Sequence, residues 1–443
     1  MQYKEEVKAA IAGLDGYREA EAYFDGTVLE TFATAKVRRA LKVSGEAGGP
    51  NYCKTVVETV VNRLELASIQ ATAGQEIDNQ LFEAGFSLDV AEIHRKALIF
   101  GGAYALVWPN DEGEAEVTYL SPLTTTLIYD PENPKRKLAC VRLWIQDGKA
   151  RLNIMTGENV YRLQAQGEQV TEDTNWTLLE TVENPFGEIP VFHFRTARPY
   201  GKPEHYSAYP LQNAITKAFV NSLVASDYQS APQRYALSKM GGADVDLNDF
   251  DESKTDRENV GSLKNGPGEL WYLKGIDAVG QFNPADPDVF WTAIEKSVRA
   301  MASITSTPLH YFELKTNISG ESFRAAESPH LKKVKDRQAS FGATWREVLR
   351  FLLKINGIES DVVIGWVPNE SLDELDRWRL SLLKINAGLS HKQALIEGGY
   401  TAKAADRILA ERTAEAAAGL YYERKPTVRV NTSSDENTPK DVA

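Results

Sequence analysis

The residues that could carry out chemistry are few and dispersed in this sequence. The chain has no phosphate-binding loop (G-x-x-x-x-G-K-S/T), no zinc-protease H-E-x-x-H, no nucleophile elbow G-x-S-x-G and no C-x-x-C pair. Its 6 histidines are scattered, and none has another histidine within five positions. The pattern assembles no nucleophile, base and orienting group, so it favours a protein that is not an enzyme and needs no cofactor.

The best candidate for a metal site is the alternation of Asp244, Asp246 and Asn248, which resembles the first three ligands of a calcium-binding loop. Such a loop needs glycine at its sixth position and glutamate at its twelfth, where this chain has Asp249 and Thr255. The segment is therefore no EF-hand and we expect no metal site, with weak cation binding by an acidic loop as the alternative.

Composition indicates an ordinary folded chain with an acidic balance. Of its 443 residues 42% are hydrophobic and 25% are charged, and 62 acids against 50 bases give a net charge of −12. A protein that grips phosphate backbones over its whole surface would be basic, so such a clamp is disfavoured. Two cysteines, Cys53 and Cys140, make no disulfide framework and favour a reducing compartment.

Neither a signal peptide nor a membrane span is expected. The first residues lack the apolar core of a signal peptide, and the longest apolar run falls short of the ~20 residues that cross a bilayer. We therefore expect a soluble chain without a membrane partner.

Hydrophobic spacing predicts an α+β domain over the first part of the chain. Residues 1–24 are charged and predict a surface helix, and further helices are predicted from Asn51 and over Ser87–Gly101. After Gly102 the period becomes extended, which predicts one antiparallel meander with a tight turn at Asp147 and Gly148. The predicted strands are Ala103–Trp108, Glu116–Leu120, Thr126–Tyr129, Leu138–Gln146, Arg151–Thr156, Asn159–Leu163, Trp176–Val182 and Val191–Phe194.

Two helices with apolar stripes flank a loop-rich insert. They are predicted over Tyr209–Ser230 and Asp288–Ile304, and the insert is Gln233–Pro287. If the helices run antiparallel, they project the insert away from the body and bury little apolar surface alone, so we expect their stripes to contact identical copies in a ring. The expected contact residues are Leu211, Ile215, Phe219, Phe290, Ile294 and Val298.

Two segments differ from the rest of the chain in their balance of acidic and basic residues. Within the insert, Gly241–Glu258 carries seven acids against two bases, which is typical of a solvated loop. His330–Arg350 carries six bases against two acids and predicts a contact with DNA or an acidic neighbour, with a solvated helix face as the alternative. The predicted basic face consists of Lys332, Lys333, Lys335 and Arg337.

The C-terminal part is predicted to be mostly helical. A long helix over Ser319–Lys354 is expected to kink at Pro329, and Asp361–Val367 is expected to be a strand. Three shorter helices follow, and the polar tail is expected to be disordered. The helices are predicted over Leu372–Asn386, His391–Glu397 and Thr401–Tyr422, and the tail starts at Lys425.

Several stretches occur in an order and spacing that extend over most of the chain, from about Tyr23 to Arg407. They are Tyr23–Gly26, Asn51–Leu64, Phe100–Tyr104, Pro210–Lys217, Ala231–Arg234 and, most specific, Thr307–Trp345 with its Ser319–Glu327 run of small residues, alanines and glutamate. Taken together they resemble the portal proteins of tailed bacteriophages, the head-to-tail connectors. No single stretch is a signature; the shared order carries the resemblance.

The resemblance implies a portal-like α+β architecture with named parts. The parts would be an α+β wing over 1–208, a stem helix over 209–231, a small α/β clip over 232–287, a second stem helix over 288–305, a tunnel loop over 306–320, the wing's long kinked helix and strand over 321–368, a helical crown over 369–424 and a tail over 425–443.

The resemblance also implies a function. The chain would form a homo-oligomeric ring, usually a dodecamer, at one capsid vertex of the virion after assembly in the host cytoplasm. Double-stranded DNA would pass through the channel without sequence preference, in packaging and in ejection. The protein partners would be the terminase large subunit, a head-completion adaptor, the major capsid protein and scaffolding protein.

Two sets of site residues follow from the same resemblance. The tunnel loop would face DNA with Leu314, Lys315, Thr316, Asn317 and Ser319. The clip would dock the motor and adaptors through Asp244, Asp246, Asp249 and Asp251. An acidic lining suits a conduit better than a clamp, because contacts with phosphate add affinity and friction. The alternatives are an α+β enzyme with a helical cap and a non-viral oligomeric scaffold.

Overall fold

The computed structural model describes most of the chain in two compact units, which are residues 1–371 and 372–443. The described residues are 3–28, 49–71, 86–110, 113, 115–198, 200–230, 234–237, 278–281, 288–312, 320–369, 374–398, 400 and 402–418. Both helices and strands occur, as the α+β prediction required.

The first unit begins with helices α1 (Lys4–Ala12) and α2 (Leu14–Asp25). The sequence predicted one surface helix here, and that was wrong in two respects. Gly13, a poor helix former, separates the two helices. Buried side chains also anchor both of them to the body, since Val7 is 1% exposed and Ala20 is fully buried.

Two further helices supply much of the apolar core. Helix α3 (Tyr52–Val61) starts where predicted, because the Asn51 side chain accepts a hydrogen bond from the Cys53 N–H and caps the helix. Helix α4 (Phe86–Phe100) ends one residue before Gly101, whose φ of 83° suits glycine.

The predicted meander is divided between two antiparallel sheets rather than one. The strands are β2 (Gly102–Pro109), β3 (Ala115–Leu120), β4 (Thr125–Tyr129), β5 (Lys137–Gln146), β6 (Lys149–Met155), β7 (Asn159–Gln166), β8 (Thr177–Glu183) and β9 (Val191–Arg195). The three-stranded sheet has the order β3-β2-β9, and the five-stranded sheet has the order β4-β5-β6-β7-β8. The tight turn is confirmed, since Asp147 and Gly148 both have positive φ, 52° and 70°.

A separate two-stranded pair joins distant parts of the first unit. Strand β1 (Leu66–Ala71) pairs antiparallel with β12 (Val362–Trp366). The sequence predicted β12 but not β1, because β1 follows α3 directly and its partner lies almost three hundred residues further along the chain.

A pair of long helices flanks the insert, with the bounds that the sequence predicted. Helix α5 is Tyr209–Ser230 and helix α6 is Asp288–Ile304. Between them, the strands β10 (Arg234–Leu237) and β11 (Ala278–Gln281) pair antiparallel and close the root of the insert. The two helices run antiparallel, because Ile215 clusters with Ile294 and Val298 while Phe219, one turn further along α5, lies beside Trp291, which precedes Ile294 on α6.

Helix α7 (Gly320–Ile355) is the longest described helix and continues through Pro329 without interruption. Its apolar side packs in the main core with α3, α4 and the three-stranded sheet. Trp345, which is fully buried, donates an indole N–H to the Nε2 atom of His94 at 2.8 Å.

The second unit contains three helices in its described residues. They are α8 (Glu374–Asn386), α9 (His391–Glu397) and α10 (Ala402–Ala417). Ser390 caps α9 by accepting from the Gln393 N–H, and ion pairs join Lys384 to Glu397 and Lys392 to Asp406. Among the described helices of both units, none is long and apolar enough to cross a membrane.

Candidate functional site

The residues predicted to meet DNA and docking proteins fall into two groups. The predicted tunnel-loop residues (Leu314, Lys315, Thr316, Asn317 and Ser319) and the clip acids (Asp244, Asp246, Asp249 and Asp251) lie outside the described residues. The basic face of α7 and the stripes of α5 and α6 are described. The candidate site therefore consists of the described residues on either side of Leu314–Ser319 and the residues that they contact.

A buried network joins the start of the predicted tunnel loop (306–320) to α7 and to the chain that follows α3. Residues Leu309–Tyr311, inside the predicted loop, form a short 3-10 helix, and α7 begins at Gly320. The Nη2 atom of Arg63 donates to the Glu327 carboxylate at 3.0 Å and to the Tyr311 hydroxyl at 2.7 Å. The Tyr311 hydroxyl donates in turn to Glu327 at 3.1 Å.

Burial makes this network costly to disturb. The Glu327 side chain is 2% exposed and that of Arg63 is 18% exposed. The Nη1 atom of Arg63 also donates to the Asn369 carbonyl at 2.6 Å, and His310 Nε2 lies 3.4 Å from Glu327. Because a buried charge without its partner is strongly unfavourable, the network fixes the start of the predicted tunnel loop and α7 to the chain that follows α3.

His330 lies one turn further along α7 and is held as a neutral ring. It is fully buried, and its nitrogens lie 3.3 Å from the Ser306 carbonyl and 3.4 Å from the Thr59 carbonyl. Burial, together with the nearby charges of Lys333 and Arg63, lowers the pKa of His330 to about 4. The imidazole ring of His330 is therefore neutral at neutral pH.

The predicted basic face of α7 is divided by the structure into two parts. Lys333 and Arg337 turn inward and share the carboxylate of Glu204, at 3.6 Å and 2.8 Å. Lys332 and Lys335 are exposed. The prediction of one four-residue face is therefore corrected, because the 3.6-residue period places the members of the run on different sides of the helix.

The inward pair also ties α7 to the chain before α5 and to the residue after α6. Lys333 donates to the Thr305 carbonyl at 2.7 Å, and Arg337 donates to the Thr196 carbonyl at 2.8 Å. Burial opposes ionisation of Glu204, but the charges of Lys333 and Arg337 outweigh it and hold the Glu204 pKa below its ordinary value. These two bases are structural.

The stripes of α5 and α6 face each other inside one chain. Ile215, Ile294 and Val298 are buried in one cluster at 0%, 3% and 2% exposure, and Leu211 and Phe219 pack against it. The ring of Phe219 also lies 6.4 Å from that of Trp291, and Phe290 is half-buried. Contacts of these residues with another copy of the chain stay a prediction. The apolar side chains that α6 exposes are Val289, Trp291 and Ile304.

Sequence reasoning missed Arg63, Glu204 and Glu327 as members of buried ion pairs. Glu327, His330 and Val334 follow the spacing of the buried stripe that continues to Phe341 and Trp345. A carboxylate at a core position of a helix is the signal that could have found Glu327, since such a group needs a buried partner. Among the described residues, no group of His, Cys, Asp and Glu could hold a metal ion.

Comparison with known proteins identifies the family. The model of the family "Phage portal protein, SPP1 Gp6-like" matches residues 60–415, which is most of the chain. The chain therefore belongs to this phage portal protein family, whose members are structural and not enzymes.

Two curated relatives are portal proteins of mycobacteriophages. That of Mycobacterium phage D29 is 32% identical over 103 residues, covering 23% of this chain and 20% of the relative. That of Mycobacterium phage L5 is 27% identical over 159 residues, covering 32% of each. The matches thus span about a fifth to a third of these relatives' length.

Solved structures give weaker likenesses. The neck of an empty gene transfer agent particle, computed with C6 symmetry, is 14% identical with a TM-score of 0.47, covering 83% of this chain and 95% of that one. A HK97 family phage portal protein from Corynebacterium diphtheriae is 9% identical with a TM-score of 0.33, covering 70% and 91%.

Proposed function

We propose that this chain forms a closed ring of identical copies, usually a dodecamer, at one vertex of a phage capsid. The ring is the conduit through which double-stranded DNA enters during packaging and leaves during ejection. The terminase large subunit docks on it first, and a head-completion adaptor and tail proteins replace it; the capsid and scaffolding proteins surround it. Assembly takes place in the host cytoplasm, and the ring ends in the virion.

The observation that supports this proposal is the antiparallel pair α5 and α6, which carries an insert closed at its root by β10 and β11. Because the chain belongs to a family of phage portal proteins, we assign this pair as the stem and the insert as the clip. On the same basis we propose the remaining parts of a portal architecture. They are a wing over 1–208, stem helices over 209–231 and 288–305, a clip over 232–287, a tunnel loop over 306–320, the wing's long helix and strand over 321–368, a crown over 369–424 and a tail over 425–443.

The ring is tested with a residue that does not stabilise the isolated chain. Val289 is 64% exposed on α6, whereas Phe219 packs against the core of the helix pair and Phe290 is half-buried, so changing either would confound the result. Val289→Asp should leave the chain folded and break the rings, because it buries an unpaired charge between copies. Val363→Asp is the matched control, since Val363 is 58% exposed on β12.

The measurement is ring mass by light scattering, with negative-stain images that show the central hole. Wild-type protein and Val363→Asp should form rings of the same mass. A wild-type protein that stays monomeric and shows no hole at any concentration would contradict the proposed ring.

The conduit function is tested at the predicted tunnel loop. One Lys315 per copy becomes a circle of positive charge in a ring and offers brief contacts to phosphates. Lys315→Glu should leave ring assembly intact and lower DNA packaging, with a deficit that depends on salt because exposed charges are screened. Packaged DNA length at two ionic strengths measures this, and wild-type lengths at both would argue against the tunnel-loop assignment.

A further inference from the structure

One face of the five-stranded sheet is covered over only part of its length. The row of paired residues that is buried against the three-stranded sheet consists of Leu127, Cys140, Met155 and Val160. Two further rows lie on the same face toward the turn at Asp147 and Gly148. The nearer row holds Thr125, Arg142, Asn153, Arg162 and Glu180, and the outer row holds Trp144, Arg151, Gln164 and Thr177.

This part of the sheet is basic in an acidic chain. The basic sheet face consists of Arg142, Trp144, Lys149, Arg151 and Arg162, where Lys149 pairs with Gln146 at the end of the hairpin. The two rows hold three arginines against one acid, Glu180, and Lys149 beyond the outer row adds a fourth positive charge. The whole chain has a net charge of −12. A local concentration of this sign indicates a negatively charged partner.

The arginines of the basic sheet face have donors that the described chain does not use. The Nε atoms of Arg142 and Arg151 are buried and have no hydrogen-bond partner among the described residues. Arg162 is paired, because its Nη1 donates to Glu180 at 2.9 Å. Burial of these Nε atoms holds the two guanidinium groups in place, and a partner would contact their terminal Nη atoms, since both side chains are half-buried as a whole.

An aromatic ring completes the surface. The guanidinium of Arg142 lies 5.1 Å from the centre of the Trp144 ring, which is half-buried. A stacked guanidinium is held in one orientation and keeps its N–H edge for a planar acceptor. Carboxylates and phosphates both offer that geometry.

A polypeptide fits this surface better than DNA. Three arginines, one lysine and a tryptophan match the composition of protein interfaces, in which arginine and tryptophan are enriched and lysine is depleted. The net charge of −12 repels a long duplex, whereas a short acidic segment experiences mainly the charges within a Debye length of about 8 Å. Extended chain can also place carboxylates at the spacing of the arginines, since Arg142 and Arg162 stand two strands apart, about 10 Å.

We propose that the basic sheet face is a docking surface for an acidic polypeptide segment of a partner protein, bound through its Asp or Glu carboxylates. The carboxylates accept from Arg142 and Arg151, and Trp144 packs against the backbone of the segment. Glu180 competes for Arg162 and weakens the docking. The proposal does not depend on the ring or on its channel.

The experiment uses the full chain and a fluorescein-labelled octaglutamate peptide, with binding measured by anisotropy at low salt. Arg142→Gln and Arg151→Gln should each weaken binding at least fivefold. If either variant fails to fold, Arg162→Gln replaces it in the experiment, because the Arg162 side chain is 53% exposed. Glu180→Gln should strengthen binding about twofold, since removing the competing acid frees Arg162. Lys135→Gln is the control, because Lys135 is an exposed base near the opposite end of β5 and should not change binding.

The other outcomes overturn the proposal. No binding of octaglutamate by the wild-type chain, or equal binding by all variants, removes the docking surface. Tighter binding of a short DNA duplex than of octaglutamate, lost in Arg142→Gln, assigns the face to nucleic acid instead. Self-association that Arg151→Gln abolishes in sedimentation assigns it to a second copy of this chain. Circular dichroism and thermal melting confirm that each variant is folded.

Discussion

The two sides of helix α7 use the same kinds of residue for opposite purposes. On the inward side, Glu327 pairs with Arg63, and Lys333 and Arg337 share Glu204. On the outward side, Lys332 and Lys335 are exposed to solvent. Bases next to each other in sequence therefore differ in role, and a charge count along the chain cannot separate them.

The difference arises from burial rather than from the residue type. An exposed ion pair contributes about 0–1 kcal/mol, while breaking a buried pair costs about 3–5 kcal/mol because one charge is left without a partner. The inward side thus fixes the position of α7, and the outward side is free to contact something else.

The largest expected effect is at Glu327. Glu327→Ala leaves the guanidinium of Arg63 half-buried without its carboxylate and removes the acceptor of Tyr311, so we expect the first unit to lose about 3–5 kcal/mol of unfolding free energy. Urea unfolding, followed by tryptophan fluorescence, measures the change.

The matched control for Glu327 is Glu347→Ala on the same helix. Glu347 is exposed, so its loss should change the unfolding free energy by no more than about 0.5 kcal/mol. Similar losses for the two variants would show that the inward and outward sides of α7 do not differ in energy.

The next effect concerns acid stability, through a histidine in contact with the inward side of α7. His94 donates from Nδ1 to the Leu64 carbonyl at 3.0 Å and accepts from the Trp345 indole, an arrangement that needs a neutral ring. Burial lowers the pKa of His94 to about 3. In the unfolded chain the ring protonates near pH 6.5, so acid favours the unfolded state between these two values.

Stability should therefore fall as the pH is lowered from about 6.5 towards 3, by at most about 1.4 kcal/mol per pH unit for this one group. His94→Gln removes the titrating ring and should flatten the slope, even if it lowers stability at neutral pH. Urea midpoints at several pH values measure this. His391→Gln, at an exposed histidine, is the control, and a slope in His94→Gln equal to that of wild type would contradict the prediction.

The local features of the fold could be predicted from the sequence. The bounds of α5 and α6 and the turn at Asp147 depend on spacing within one element, which the sequence displays directly. Strand β1 could not be predicted, since Leu66 pairs with Trp366. The division into two sheets also depends on which strands meet, and no short pattern encodes that.

The candidate site was harder to predict from the sequence, because it also depends on contacts between residues that are distant in the chain. The acidic and basic runs could be found by counting, but Glu204 and Arg63 take their roles from partners far away in the chain. Burial on α7 was predictable in principle, because Glu327 and His330 lie on the stripe that ends in core residues. What a stripe cannot show is which distant group neutralises a charge placed on it.

The smallest expected effect on stability is at the outward side of α7. Replacing Lys332 and Lys335 together by Gln removes two exposed charges, so the unfolding free energy should change by no more than about 0.5 kcal/mol. If these bases contact DNA or an acidic neighbour, as the sequence predicted, the double variant should still lower packaged DNA, and less so at high salt, because screening already weakens exposed charges there. The paired measurement of unfolding and packaged DNA length decides it. Wild-type packaging at low salt would leave Lys332 and Lys335 as a solvated helix face, whereas a large loss of stability would show that they belong with the inward side.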